Sequence, residues 1–164
     1  MERNHSKKLI RNAIKTGDIH AVKKLIGDDI EVLNTLTVFG TWLHVAVKKE
    51  NLQIVRYLVE KGIDVNAQGG TFSANALERA AAKGHIDIAK YLINHNIKID
   101  ISEPDKNPLF AAIYNDHFEM VKLLVENHIN ISITYSGENM KEMDAYTFAL
   151  ERGQIEIAEY LKRN

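Results

Sequence analysis

The stretch that decides the fold is "TWLHVAVKKENLQIVRYLVEKGIDVNAQ", residues Thr41–Gln68. Four further segments align with its first part: "IRNAIKTGDIHAVKKLI", "LERAAAKGHIDIAKYLI", "LFAAIYNDHFEMVKLLV" and "YTFALERGQIEIAEYLK". One alanine recurs at intervals of 33, 34, 32 and 37, as Ala13, Ala46, Ala80, Ala112 and Ala149. Two further positions recur at the same intervals, an apolar residue six positions after this alanine and a leucine twelve positions after it. Self-similarity at such a period predicts a repeat architecture that runs along the whole chain.

Each repeat reads as two short helices separated by a break. In "IHAVKKLI" the apolar residues Ile19, Val22, Leu25 and Ile26 fall on one helical face. Three repeats place a glycine at the break, which ends a helix in the left-handed conformation at little cost. The other two place Glu50 and Asp116 there, and glutamate tolerates this conformation poorly. We therefore expect the second repeat to be strained or locally softer.

These residues resemble the ankyrin repeat, whose pattern begins T-P-L-H-x-A-A and ends G-A-D-V-N-A. The matching positions are Thr41, Leu43, His44, Ala46, Ile54, Val55, Leu58, Gly62, Asp64, Val65, Asn66 and Ala67. Trp42 replaces the usual proline, and we expect it to pack between repeats. The resemblance implies one all-α solenoid domain over residues 1–164, with five helix-turn-helix repeats joined by protruding loops, here called fingers. The expected repeats are 5–34, 37–68, 71–101, 104–133 and 142–164, and the long finger is 134–143.

The resemblance also implies a function, because ankyrin proteins typically bind other proteins with a concave face formed by first helices and fingers. Carried over to this chain, the candidate partner-binding residues are Phe72, Lys48, Lys49, Lys83, Tyr114, Asn115, Tyr135, Glu138, Lys141, Glu142, Glu151 and Arg152. Tyr114 and Phe72 are the aromatic candidates, and exposed aromatic residues suit interface anchors. The alternative is that either ring folds back onto a neighbouring repeat.

The finger before the fifth repeat, "TYSGENMKEMD", is about four residues longer than the others, which stability alone does not forbid. It can be a structural lid, with Met140 and Met143 covering apolar surface and Asp144 capping the next helix. It can also be a recognition element that presents Tyr135, Glu138, Lys141 and Glu142 to a partner. Both roles are compatible if the methionines hold the finger while Tyr135 and Glu138 face outward.

The segment "YSGENMKEMDAYTFALERGQIEIAEYL" further resembles the end of small bacterial ankyrin proteins, with matches at Tyr135, Ser136, Gly137, Glu138, Met140, Met143, Asp144 and Ala145. Proteins of that kind are often associated with polymorphic toxins, as cytoplasmic immunity proteins. This resemblance implies that the chain binds and neutralises a cognate toxin domain. The alternative is a regulatory or effector adaptor whose partner is another protein, for instance one from a host.

Composition describes an ordinary soluble chain of 164 residues, with a net charge of −1 and no cysteine. The absence of cysteine excludes disulfides and cysteine-based zinc sites. No signal peptide or membrane span is evident, so we expect a cytoplasmic protein that is monomeric when free. Residues 1–60 hold ten Lys/Arg and seven Asp/Glu, whereas residues 61–164 hold eleven and fifteen. The acidic half suits a basic partner such as a toxin domain, or it is simply solvated surface.

Chemistry-bearing motifs are weak throughout the sequence. His44, His85 and His117 occupy repeat positions where ankyrin histidines bond between neighbouring loops, and His20, His95 and His128 show no metal-ligand spacing. No phosphate-binding loop occurs, and nothing supplies a nucleophile within an enclosed pocket. Lys and Arg are not clustered densely enough to indicate nucleic acid. We therefore expect a chain that is not an enzyme, with no metal, no cofactor and no nucleic-acid or membrane partner.

Overall fold

The computed structural model describes residues 2–70, 73–138 and 140–164, with side chains from residue 5 onward. Five helix pairs follow one another in this part of the chain. They are α1 (Glu2–Thr16) with α2 (Ile19–Ile26), α4 (Trp42–Lys48) with α5 (Leu52–Glu60), α6 (Ala76–Lys83) with α7 (Ile86–Ile93), α8 (Pro108–Tyr114) with α9 (Phe118–Glu126), and α10 (Ala145–Glu151) with α11 (Ile155–Arg163). The short helix α3 (Ile30–Leu33), which the sequence did not predict, precedes the second pair. The architecture is the all-α repeat solenoid that the period predicted.

The helices form two stacked layers with one continuous core between them. The first helices α1, α4, α6, α8 and α10 pack side by side in that order, and the second helices α2, α5, α7, α9 and α11 form the other layer. The recurring alanines are buried where first helices approach one another, and Leu58, Leu92 and Leu124 are fully buried in the second layer. Each pair therefore buries its apolar faces against the next pair, as expected of a solenoid.

The break inside each pair is closed by the same hydrogen bond in all five copies. The backbone N–H of the residue that follows the break donates to the carbonyl of the recurring alanine, at 2.9–3.2 Å. This closure requires a left-handed residue at the break. Gly17, Gly84 and Gly153 adopt positive φ there, and so do Glu50 at +55° and Asp116 at +58°. A left-handed conformation costs roughly 1–2 kcal/mol at a residue with a β-carbon, so the strain expected in the second repeat lies at Glu50.

Trp42 lies between the first two pairs, as the sequence predicted. Its side chain is fully buried, and its indole N–H donates to the carbonyl of Val32 at 2.7 Å. Val32 belongs to α3, so the extra helix supplies the acceptor that a buried indole requires. The tryptophan therefore ties the loop after α2 to the start of α4.

The last finger differs from the earlier ones in forming a two-stranded hairpin. Strand β1 (Tyr135–Gly137) pairs antiparallel with β2 (Met140–Met143), and the register aligns Tyr135 with Met143. Two earlier fingers contain single bridges, between Thr37 and Gly40 and between Gly69 and Ala74. The extra residues of the last finger are thus used to extend a hairpin that leads directly into α10.

Candidate functional site

The first helices and their fingers together form one side of the stack, which we call the first-helix face. A pocket of about 200 Å³ opens near its N-terminal end, and it is lined by a concentration of basic side chains. We call it the basic pocket, and its charged lining consists of Arg11, Lys15, Lys48, Lys49 and Arg79. Close positive charges without acidic partners in the lining create an attractive potential for acidic groups.

A second, larger pocket of about 420 Å³ opens further along the same face, between α6, α8 and α10. We call it the apolar pocket, because its walls include the aromatic rings Phe110, Tyr114 and Phe148 together with Met140 of the hairpin. The charged groups that line it, Glu78 and Asp105, are both acidic. The pocket linings therefore change from basic to acidic and apolar along the stack.

Tyr114 is exposed at the edge of the apolar pocket, as predicted for an interface anchor. It ends α8 with 56% of its surface accessible, and its neighbour Asn115 is exposed beside it. The guanidinium of Arg152 lies 4.2 Å from the centre of its ring. A cation over the ring face is an attractive contact, so Arg152 holds one face of the ring while more than half of the residue stays accessible.

Tyr135 does not occupy the exposed position that the sequence predicted for it. Only 9% of it is accessible, and its ring packs edge-on against Phe110 at 5.0 Å between centres. The buried amide of Asn107 donates to the tyrosine hydroxyl at 2.9 Å, and the hydroxyl donates to the carbonyl of Ile101 at 2.8 Å. A hydroxyl that finds two partners in the preceding finger fixes the hairpin in place. The prediction that Tyr135 faces a partner was wrong.

The structural role proposed for the long finger is otherwise visible in its contacts. Met143 is buried, Met140 packs against the core, and the carboxylate of Asp144 accepts from the backbone N–H of Thr147 at 2.7 Å. Glu138, Lys141 and Glu142 are exposed on the hairpin. The finger is therefore a fastened hairpin that can still present charged side chains to a partner.

The remaining predicted residues lie at the ends of first helices. Lys48 and Lys49 are exposed and line the basic pocket, whereas Lys83, at the end of α6, is exposed but lines neither pocket. Glu151 and Arg152 are exposed at the end of α10. Phe72 lies outside the described residues.

The histidines of the repeat pattern connect neighbouring repeats. The N–H of Thr41 donates to Nδ1 of His44 at 3.2 Å, so Nε2 carries the proton and donates to the carbonyl of Ala74 at 3.0 Å. Burial lowers the pKa of His44, because the charged form loses its hydration. His117 similarly reaches the carbonyl of Ala82, at 3.3 Å. These imidazoles act as structural bridges between repeats.

Glu78 is the functional candidate that the sequence reasoning missed. It lies on α6, three residues after Asn75, at the position that His44 occupies relative to Thr41 in the preceding repeat. Only 8% of the residue is accessible, and burial raises the pKa of its carboxyl to about 7, with Asp105 adding to the rise and Arg79 opposing it. A glutamate at the repeat position where the ankyrin pattern has a buried histidine is the sequence signal that could have identified Glu78.

The described part of the chain contains neither a metal-binding cluster nor a membrane-spanning helix. In residues 2–70, 73–138 and 140–164, no group of three or more His, Asp or Glu side chains lies in an arrangement that could hold a metal ion. Within those same ranges, no helix has the length and apolar character needed to cross a membrane. The candidate site on the first-helix face therefore rests on the opposite charges of the basic pocket and the apolar pocket.

Comparison with known proteins agrees with this architecture. A family model described as ankyrin repeats (3 copies) matches residues 10–105 and 100–164. The chain belongs to the ankyrin-repeat family. Ankyrin repeats are protein-binding scaffolds, so this membership places the chain among protein-binding modules at the level of fold.

Curated relatives match parts of this ankyrin-repeat chain. It is 33% identical over 101 residues to palmitoyltransferase AKR1 of Lachancea kluyveri, a match that covers 56% of this chain and 13% of that protein. It is 37% identical over 79 residues to palmitoyltransferase Hip14 of Drosophila melanogaster, covering 47% and 12%. The putative ankyrin repeat protein L112 of Acanthamoeba polyphaga mimivirus is 33% identical over 75 residues, covering 46% and 15%. The chain therefore spans only a small part of the length of these relatives, and none of the three is named as a bacterial immunity protein.

Proposed function

We propose that this chain is a non-catalytic protein-binding module that contacts its partner with the first-helix face. The observation that carries the proposal is the division of that face into a basic pocket and an apolar, acidic pocket with Tyr114 exposed at its edge. A partner that fits this surface presents acidic groups toward the N-terminal repeats and basic groups toward the C-terminal ones. Such complementarity fixes the orientation of a complex and accelerates its formation.

Substitutions on opposite sides of the stack test this proposal once a partner has been captured. Tyr114→Ala should weaken binding at least tenfold, because truncated aromatic hot spots typically cost about 2 kcal/mol or more. The melting temperature should change little, since the ring is largely exposed in the free protein. Lys48→Glu should also weaken binding, as measured by titration calorimetry. The matched control is Lys90→Glu on α7, in the second layer, where the side chain is exposed.

Unchanged affinity in both first-helix variants, with loss of affinity in Lys90→Glu, would move the interface to the second layer.

Salt provides an independent readout of charge complementarity. Exposed charges are screened over about 8–10 Å at physiological ionic strength, so the dissociation constant should rise as salt is added. A salt-independent affinity would remove the electrostatic part of the proposal.

For the biological role, we propose an immunity protein that neutralises a toxin domain in the cytoplasm. Support comes from the resemblance of residues 135–161 to the end of small bacterial ankyrin proteins, and from the exposed Glu138 and Glu142 on the hairpin. These carboxylates suit a basic toxin. Co-expression with a toxin encoded immediately upstream should restore growth, and Glu138→Lys combined with Glu142→Lys should abolish the rescue while the protein remains folded.

A regulatory adaptor is the second candidate, and the similarity to segments of two palmitoyltransferases favours it. In this case the chain would hold a target protein without inhibiting a toxin. The two roles separate in the growth experiment: an adaptor gives no rescue from the neighbouring gene product, yet its partner binding still depends on Tyr114. Loss of both rescue and Tyr114-dependent binding would exclude both roles.

A further inference from the structure

The apolar pocket contains an acidic group, Glu78, for which residues 2–70, 73–138 and 140–164 supply no side-chain partner. Glu78 is more than nine-tenths buried, and it lines the pocket. Among the described residues, its carboxylate makes no hydrogen bond and no ion pair, although its backbone N–H donates to the capping side chain of Asn75. Burial raises the pKa of this carboxyl to about 7, so its ionised form destabilises the free protein.

A capping role does not explain this buried carboxyl. Glutamate three residues after a helix cap can reach back to the N–H of the capping residue. In the second repeat, His44 closes such a reciprocal pair with Thr41. In the third repeat Asn75 caps α6 with its own side chain, and the structure records no return bond from Glu78. Glu78 lines the pocket instead.

We infer that the apolar pocket is the receptor site for one arginine side chain of the bound partner, with Glu78 pairing with its guanidinium. The inference rests on the proposed function, since it specifies what the first-helix face recognises. The walls fit the stem and the plane of an arginine, because Phe110, Tyr114 and Phe148 provide apolar and aromatic surface around the carboxyl. The Tyr114 ring already accepts a guanidinium of this chain, that of Arg152.

The charges around Glu78 explain why the occupant carries a positive charge. Asp105, exposed in the finger before α8, lines the same pocket and adds negative potential. Arg79 is the adjacent residue on α6, but it lines the basic pocket together with His44 and Lys48 of α4. An apolar occupant would bury the carboxyl more deeply without compensation, whereas a guanidinium pairs with it.

Pairing with a cation also makes binding depend on pH in a defined direction. The carboxyl of Glu78 has a pKa of about 7 in the free protein, so about half of it is protonated near neutral pH. The guanidinium binds the ionised form and releases the proton. At pH 6 the protonated form outnumbers the ionised form by about ten to one, so affinity should be about tenfold lower than at pH 8.

The test uses N-acetyl-arginine amide as the probe and N-acetyl-citrulline amide as its neutral isostere. With isotopically labelled protein at pH 8, the arginine probe should cause saturable shifts of the amides of Ala82, Ala111 and Asn115, which line the pocket. The citrulline probe should bind at least tenfold more weakly. Lowering the pH to 6 should weaken the arginine probe about tenfold, and Glu78→Gln should remove both the binding and its pH dependence.

The matched control is Glu126→Gln, which neutralises an exposed glutamate on α9 in the second layer and should leave the titration unchanged. Equal binding of the citrulline probe, or probe binding that survives Glu78→Gln, would overturn the arginine site. With the full partner, Glu78→Gln should weaken binding while Glu126→Gln does not. Full affinity in Glu78→Gln combined with loss in Tyr114→Ala would sink this inference alone, whereas full affinity in both variants would sink the proposed function.

Discussion

Replacing Tyr135 with phenylalanine removes one oxygen atom and leaves the ring in place against Phe110. The hydroxyl is the acceptor for the amide of Asn107, which is fully buried, and the donor to the carbonyl of Ile101. A buried donor that loses its partner costs about 1–3 kcal/mol. Ile101 is only half-buried, so water can replace the donor to its carbonyl. We therefore expect Tyr135→Phe to lower the free energy of unfolding by about 1–3 kcal/mol.

For a chain of this length, each kcal/mol lowers the melting temperature by about 2–4 °C, so the expected decrease lies between about 2 and 12 °C. Denaturant titration and thermal melting measure it directly. The matched control is Tyr114→Phe, which removes the same atom from a ring that is 56% exposed. Its hydroxyl is open to water, so the unfolding free energy should change by less than about 0.5 kcal/mol.

The pairing itself is tested by repeating Tyr135→Phe in an Asn107→Thr background. Threonine can still cap α8, as Thr41 does at the start of α4. It has no side-chain amide that would lose its acceptor when the tyrosine hydroxyl is removed. The second substitution should then cost much less than it does in the wild-type protein, and the difference is the coupling energy. Equal effects of Tyr135→Phe and Tyr114→Phe, or the absence of coupling to Asn107, would refute the anchoring role of this tyrosine.

Three further substitutions test the fold and the apolar pocket. Glu50→Gly should raise the unfolding free energy by about 0.5–1 kcal/mol in denaturant titration, because relief of the left-handed strain exceeds the entropic cost of glycine. A decrease would show that the strain is absent. Gly84→Ala should lower it by at least about 1 kcal/mol, since φ is +69° and a β-carbon would lie 2.9 Å from Nδ1 of His117. Because the pKa of Glu78 rises from 4.5 to about 7 on folding, its stabilising contribution is present below pH 4.5 and is lost as pH rises through 7. Wild-type protein should therefore lose up to about 3 kcal/mol relative to Glu78→Gln between pH 4.5 and 8, and parallel stability profiles would contradict this.

The periodic part of the structure could be predicted from the sequence because repeat spacing reports local geometry. The recurring alanine fixes where first helices meet, and the same residue supplies the carbonyl that closes each break. The burial of Trp42 also followed from its place in the repeat. The acceptor for its indole could not be predicted, since α3 follows the aligned helical segment of the first repeat, which ends at Ile26.

Tyr135 and Glu78 show why the candidate site was harder to predict. The fate of Tyr135 depends on an amide 28 residues earlier in the chain and on the ring of Phe110, so neither its polarity nor its place in a long finger determined its exposure. Lys48 is exposed because it lies at a helix end that faces solvent, and its partner-binding role stays a prediction. Glu78 was overlooked because a charged residue on a helix is usually exposed, and this one is buried by its repeat position.

The third residue of the first helix differs in its contacts between repeats. His44 uses the third position of α4 to bond the next finger, whereas Phe110 uses the same position of α8 to pack against Phe148 and Tyr135. Glu78 lies between them at the same position and makes neither kind of contact among the described residues. It replaces a stabilising bridge with a carboxyl that destabilises the free protein near neutral pH. Such a local departure from an otherwise consistent pattern is expected at functional sites, and a bound cation would offset this cost.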